Sequence, residues 1–144
     1  MPSRNSNKAN DGIRRARWNV RDLKTGTTTL ASVNSAGTGA RYGALAAISS
    51  DGRFVAFESF ENDLVANDTN GSNSDVFVRD LRTGATTLAS VNRTGSGNGP
   101  SGDFFAPPLI SADGRVVAFE SLANDLVAND TNGTENLFVR IAKR

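Results

Sequence analysis

The stretch ISSDGRFVAF, Ile48 to Phe57, returns as ISADGRVVAF at Ile110 to Phe119, an offset of 62 residues. Each copy reads as the end of one β-prone segment, an Asp-Gly turn, and a second segment. Asp favours such a turn through its side-chain acceptor, and Gly accepts the positive φ. Downstream, NDLVANDTNG at Asn62 to Gly71 recurs unchanged at Asn124 to Gly133, also offset by 62. On the other side, VRDLKTG at Val20 to Gly26 matches VRDLRTG at Val78 to Gly84, and TTLASVN at Thr28 to Asn34 recurs at Thr86 to Asn92, both offset by 58. Four residues have therefore been added between the matches, in the Gly-rich stretch from Gly95 to Pro108, and loops tolerate such changes. The unit closes with Phe77-Val78-Arg79 against Phe138-Val139-Arg140, offset by 61.

Four short segments, a to d, fit within one unit. Segment a ends at Ile48-Ser49, b runs Arg53 to Ser59, c Asp75 to Leu81 and d Ala85 to Val91, with turns at Asp51-Gly52 and Thr83-Gly84. In b, Phe54 and Ala56 point to one side and Val55 and Phe57 to the other, so both faces are apolar. A strand of that kind lies between neighbouring sheets. No segment has helical periodicity. A four-stranded unit with two faces to bury needs a similar unit on each side, which describes a propeller blade. The expected fold is all-β, with blades of four-stranded antiparallel sheets.

The strings ISSDGRFVAFES, NDLVANDTNGSNSDVFVRDLRTGATTLASVN and ISADGRVVAFES resemble the TolB-like, WD-type propeller repeats of bacterial proteins, in which S-x-D-G-R-x-[aromatic or aliphatic]-A-F marks the a–b turn. The resemblance covers about Trp18 to Arg140. It implies the blade fold and periplasmic or extracellular relatives. It does not set a function, because that fold serves scaffolds, protein-binding modules and domains appended to hydrolases.

The chain of 144 residues divides into a polar N-terminal extension, 1–17, expected to be disordered, and a two-blade unit, 18–144. The unit comprises a partial blade at 18–34, a full blade at 45–92 and a partial blade at 107–141. The first part supplies c and d, the last a, b and c. Propellers usually have about four to eight blades. About two blades per chain therefore predict either a fragment of a longer propeller or a ring closed by oligomerisation, with a homotrimer of six blades favoured over a dimer of four. Asn19 stands where Phe77 stands in the full unit, so the c strand at Leu137 to Ile141 is expected to outcompete that at Trp18 to Leu23.

Sixteen Lys and Arg against fifteen Asp and Glu leave a net charge of +1, without the basic stripe that nucleic acid demands. The absence of Cys and His removes thiolate and imidazole catalysis, Cys/His zinc sites and disulfides. No apolar run approaches a membrane span, and Met1 to Gly12 lacks the apolar stretch of a signal peptide. The chain thus reads as soluble, without nucleic-acid or membrane partners, and its compartment stays open.

The long b–c loop offers candidate ligands. Asp68, Asn70 and Asp75 present oxygens around Gly71, and hard cations such as calcium take oxygen donors. The register is not that of an EF-hand, since Ala66 would fall at the first ligand position. In the second copy Asp130 and Asn132 remain, but Asn136 replaces Asp75. The competing reading is turn capping by Asp and Asn side chains. Asp51-Gly52-Arg53 and Asp113-Gly114-Arg115 read as structural turns, and Arg79-Asp80 as solvated charge. Glu58 and Glu120, at equivalent ends of segment b, are the only carboxylates that suggest a glycosidase-like pair. Phe104 and Phe105 would form a contact surface for a protein or glycan ligand, or fill a gap between blades. The expected function is a non-enzymatic binding or assembly scaffold. The alternatives are a carboxylate-dependent hydrolase of glycan or peptide, and a remnant of a larger propeller.

Overall fold

The computed structural model describes residues 17–39, 43–102 and 106–142. Most of the polar extension, and Phe104 and Phe105, lie outside the described residues. Among the described residues nine strands form three antiparallel sheets. The first sheet pairs β1 (Asn19–Arg21) with β2 (Thr28–Leu30). The second is a four-stranded meander of β3 (Gly43–Ile48), β4 (Phe54–Ser59), β5 (Asp75–Asp80) and β6 (Ala85–Leu88), in that spatial order. The third orders β7 (Leu109–Ile110), β8 (Val116–Ser121) and β9 (Asn136–Ile141). These are successive blades of the propeller type, and among the described residues no helix occurs.

Turn chemistry sets the hairpins. Gly52, Gly84 and Gly114 adopt φ of +71°, +73° and +70°, where a Cβ is strained. At each Asp-Gly turn the Ser hydroxyl two residues earlier donates to the Asp carboxylate: Ser49 to Asp51 at 2.6 Å, Ser111 to Asp113 at 2.7 Å. Segment d is shorter than its apolar pattern predicts. β6 stops at Leu88: the Ala89 N–H still donates to the Val76 carbonyl at 2.7 Å, but the Val91 N–H turns back to the Ala89 carbonyl at 2.9 Å and bends the chain away beyond Ala89.

Two apolar slabs hold the sheets together. Between the first and second sheets, Val55, Phe57, Phe77 and Leu88 pack with Ala31, Trp18 and Val20. Between the second and third, Ala56, Val76 and Ala89 meet Val117, Phe119 and Phe138. The alternating side chains of β4 therefore serve both slabs, as the two-sided apolar pattern requires. Phe57 and Phe77, opposite each other in the β4–β5 register, stack at 5.7 Å and are fully buried. Burying one such ring stabilises by about 1.5–3 kcal/mol.

Polar links between blades repeat like the sequence. The Asn34 amide donates to Asp63 in the next blade at 2.8 Å, and Asn92 to Asp125 at 2.7 Å. Arg79 reaches back to the Val33 carbonyl at 3.5 Å, and its counterpart Arg140 to those of Ala89 and Val91. Arg79 and Asp80 are not the solvated pair their adjacency suggests. Asp80 instead takes two hydrogen bonds from Arg53, at 3.0 and 2.6 Å, across the β4–β5 register.

Candidate functional site

Asp68, Asn70 and Asp75 come together at the end of the central blade where β4 gives way to β5. Asp75 is the first residue of β5, paired with Ser59, and it is completely buried. Its Oδ1 accepts the Ser90 hydroxyl at 2.6 Å, and the same Ser90 oxygen accepts the Val76 N–H at 3.0 Å. Its Oδ2 has no donor. Neither has Asp68 Oδ1, Asn70 Oδ1 or the Ser74 hydroxyl, all buried from solvent. Acceptors in that state carry a desolvation cost of about 1–3 kcal/mol each, more when charged.

The linker to the next blade closes the loop from above. Thr69 N–H donates to the Ser96 hydroxyl at 2.9 Å, Ser96 N–H to the Asn67 carbonyl at 3.1 Å, and the Asn70 amide Nδ2 to the Gly97 carbonyl at 2.8 Å. The last bond orients Asn70. With Nδ2 held by the Gly97 carbonyl, Oδ1 turns the other way; reversed, the amide would set oxygen against oxygen at Gly97. Gly95 lets the linker lie this close to the loop, since a Cβ there would meet the Thr69 hydroxyl at 2.6 Å and the Asn67 carbonyl at 3.0 Å.

Charge follows from this geometry. Burial pushes the Asp75 carboxyl up to about 7; the Ser90 hydrogen bond opposes the rise, the neighbouring Asp68 charge adds to it, and the Asn70 side chain, within reach of the carboxyl, opposes it. Burial also raises Asp68, against hydrogen bonds from the Asn70 N–H and the Ser96 side chain. Asp63, near in sequence, is engaged by Asn34 of the preceding blade. Among the described residues no three Asp or Glu side chains converge as a metal site, so the cluster is two carboxylates and an amide. The contributions of Ser90 and Ser96 were invisible in sequence, because Ser is common here and only the fold brings positions 15 to 28 residues apart into contact.

Glu58 and Glu120 do not converge. Glu58 alternates with Ala56 and faces the slab between the second and third sheets, whereas Glu120 alternates away from Val117 and Phe119, which line that slab. The third sheet stands between them. A cleft of about 660 Å³ opens between the second and third sheets, lined by Arg53, Arg82, Arg115 and Arg140 with Asp80. Two of its guanidiniums are engaged, Arg53 by Asp80 and Arg140 by backbone carbonyls.

No protein-family model and no curated protein matches this chain. Among solved structures it is similar to the tricorn protease, at 17% identity over 76% of this chain and 9% of that one, with a TM-score of 0.49. It is likewise similar to TolB from Acinetobacter baumannii, at 20% identity over 85% of this chain and 25% of that one, with a TM-score of 0.46. The chain thus spans a quarter or less of either length, and neither likeness reaches beyond the fold.

Proposed function

We propose that the chain is a non-enzymatic binding and assembly scaffold whose copies join head to tail, three copies closing a ring of six blades. The supporting observation is one face of the third sheet. On β9, Leu137, Val139 and Ile141 are 69%, 61% and 65% exposed. Their counterparts in the central blade, Val76 and Val78, lie in the slab covered by the following sheet. An apolar row beside an open strand edge is a surface for further pairing.

The opposite end of the chain suits it. Trp18 and Val20, flanking and within β1, hold against the Phe57–Phe77 slab the places that Leu137 and Val139 would fill in a neighbour. β1 pairs over three residues, while β9 pairs with β8 over six. Replacing β1 by the β9 of another copy completes a blade of β7, β8 and β9 with the neighbour's β2. Such a contact is heterologous and closes into a ring when the rotation allows. Three copies give six blades, within the usual range. The hydrolase reading gains no support from Glu58 and Glu120, which lie on opposite sides of a sheet.

Native mass tests the proposal. Light scattering at micromolar concentration is expected to give a trimer, and the double variant Leu137→Lys, Val139→Lys a folded monomer, since both side chains point outward within one copy. A folded wild-type monomer overturns the scaffold assembly, and a dimer overturns the six-blade ring.

A further inference from the structure

The two copies of the b–c loop solve one problem in different ways, and the difference identifies a ligand. In the second copy the Asn136 amide nitrogen stands amid the oxygens of its loop. It donates to Asp130 Oδ1 and Oδ2 at 3.2 and 3.0 Å, to Asn132 Oδ1 at 3.2 Å and to the Thr134 carbonyl at 3.0 Å. The Asn132 amide returns a bond to Asn136 Oδ1 at 2.7 Å. One donor group thus satisfies the acceptors around it.

The first copy has the same acceptors and a carboxylate in place of that amide. An ionised carboxylate cannot donate, so Asp68 Oδ1 and Asn70 Oδ1 are left without partners; Asp75 Oδ2 has none either, although the Asn70 side chain lies within reach of the same carboxyl and Asp75 is 0% exposed. The loop is held by hydrogen bonds nonetheless. Ser90 fixes the far oxygen of Asp75, Gly97 fixes the amide of Asn70, and Ser96 ties Thr69. Turn capping, the competing reading of these residues, would leave their oxygens on backbone N–H groups. Of the three, only Asp68 has such a bond, from Asn70 N–H, and its Oδ1 still lacks a donor.

We propose that the loop from Asp68 to Asp75 binds one calcium ion, through Asp68, Asn70 and Asp75, and that Asn136 fills the equivalent place in the second loop with its own amide. Two carboxylates neutralise a divalent ion in a buried site. An all-oxygen set of carboxylate and amide groups suits calcium, which accepts irregular shells of six to eight oxygens, better than magnesium, which demands near-ideal octahedra and retains water. The ion would tie the β4–β5 loop to the start of β5, beneath the linker that Ser96 and Gly97 already bond to that loop. This site is independent of the assembly proposed above, since none of its residues lies on the exposed face of β9.

Isothermal titration of chelator-treated protein with calcium chloride tests the site, with magnesium chloride as control and light scattering on the same samples. The expected result is one calcium per chain, a higher melting midpoint with calcium, and at least tenfold weaker binding of magnesium. Asp75→Asn is expected to fold without calcium and to lose binding, because its amide reproduces the arrangement of the second loop. Asn136→Asp is expected to raise the stoichiometry to two. A wild type that takes up no calcium overturns the proposal, as does undiminished binding by folded Asp75→Asn. A stoichiometry of one in folded Asn136→Asp overturns the equivalence of the two loops.

Discussion

The central sheet and the third sheet carry almost the same sequence but live in different surroundings. The central sheet is covered on both faces, and its loop lies beneath the linker at Ser96 and Gly97. The third is covered on one face, and of its loop Asn132 is exposed while Asp130 and Asn136 are half-buried. Along β5 and β9 three equivalent places have diverged: Asp75 against Asn136, Asp80 against Ile141, and Val76 against Leu137. The unit with the fuller enclosure keeps the carboxylates, each in a prepared environment. The more open unit has an internally satisfied amide and an outward apolar row. A repeat therefore specifies a backbone reliably while leaving individual positions to answer to local cover.

The sharpest break of this comparison comes from the aromatic pairs. Phe77 is fully buried against Phe57, while Phe138 is only half-buried against Phe119 at 6.0 Å. Phe77→Ala is expected to destabilise by about 3–5 kcal/mol, and Phe138→Ala by roughly half as much, because truncation costs most where no solvent side exists. Urea unfolding of the two variants measures the gap. Equal losses would mean that the two sheets are equally enclosed in solution.

A second measurement sharpens the contrast at Asp75. In chelator its carboxyl titrates near 7 when folded against an ordinary value of 3.8, so the folded chain retains a proton that the unfolded chain releases. Its contribution to stability is then highest at low pH, falls as the pH rises from about 4 to about 7, and is flat above. The fall amounts to a few kcal/mol, since each tenfold change in proton affinity is worth about 1.4 kcal/mol. Asp75→Asn is expected to remove that slope, and Asn136→Gln to leave it in place. A wild-type profile in chelator without the slope would mean that Asp75 is better solvated than its burial indicates.

The smallest effect lies at Arg53 and Asp80. Hydrogen bonds from the Arg53 guanidinium, with the N–H groups of Arg82 and Thr83 behind them, hold the Asp80 carboxyl well below its ordinary value. The resulting stabilisation is fully present above pH 3.8 and is lost as the pH falls toward the lowered value. The pair is partly exposed, so its contribution is small. Asp80→Ala is expected to lower the melting midpoint slightly at pH 7, and the difference from wild type to shrink once the pH falls below the ordinary carboxylate range. The third sheet, with Ile141 at that position, contributes no such acid limb.

What was legible in the sequence was whatever repeats or acts over a few residues. The Asp-Gly turns at 51–52 and 113–114, the two-sided apolar pattern of Arg53 to Ser59 and the blade architecture all follow from local chemistry copied twice. Asp68, Asn70 and Asp75 could be singled out as oxygen donors for the same reason. That Ser90 would sit beneath Asp75, that Arg53 would reach Asp80, and that Glu58 and Glu120 would be parted by a sheet depended on register and stacking. Those relations join residues from 15 to 62 positions apart, and no short pattern encodes them.

The links from Asn34 to Asp63 and from Asn92 to Asp125 have nearly equal lengths, 2.8 and 2.7 Å, although the chain between the partners differs by four residues. The clamp between blades is thus indifferent to how much chain loops out between its ends. Arg93 and Thr94, exposed at the tip of the turn that Asn92 closes, offer a surface site of another kind, where a foreign peptide could be displayed while the stack beneath keeps its register.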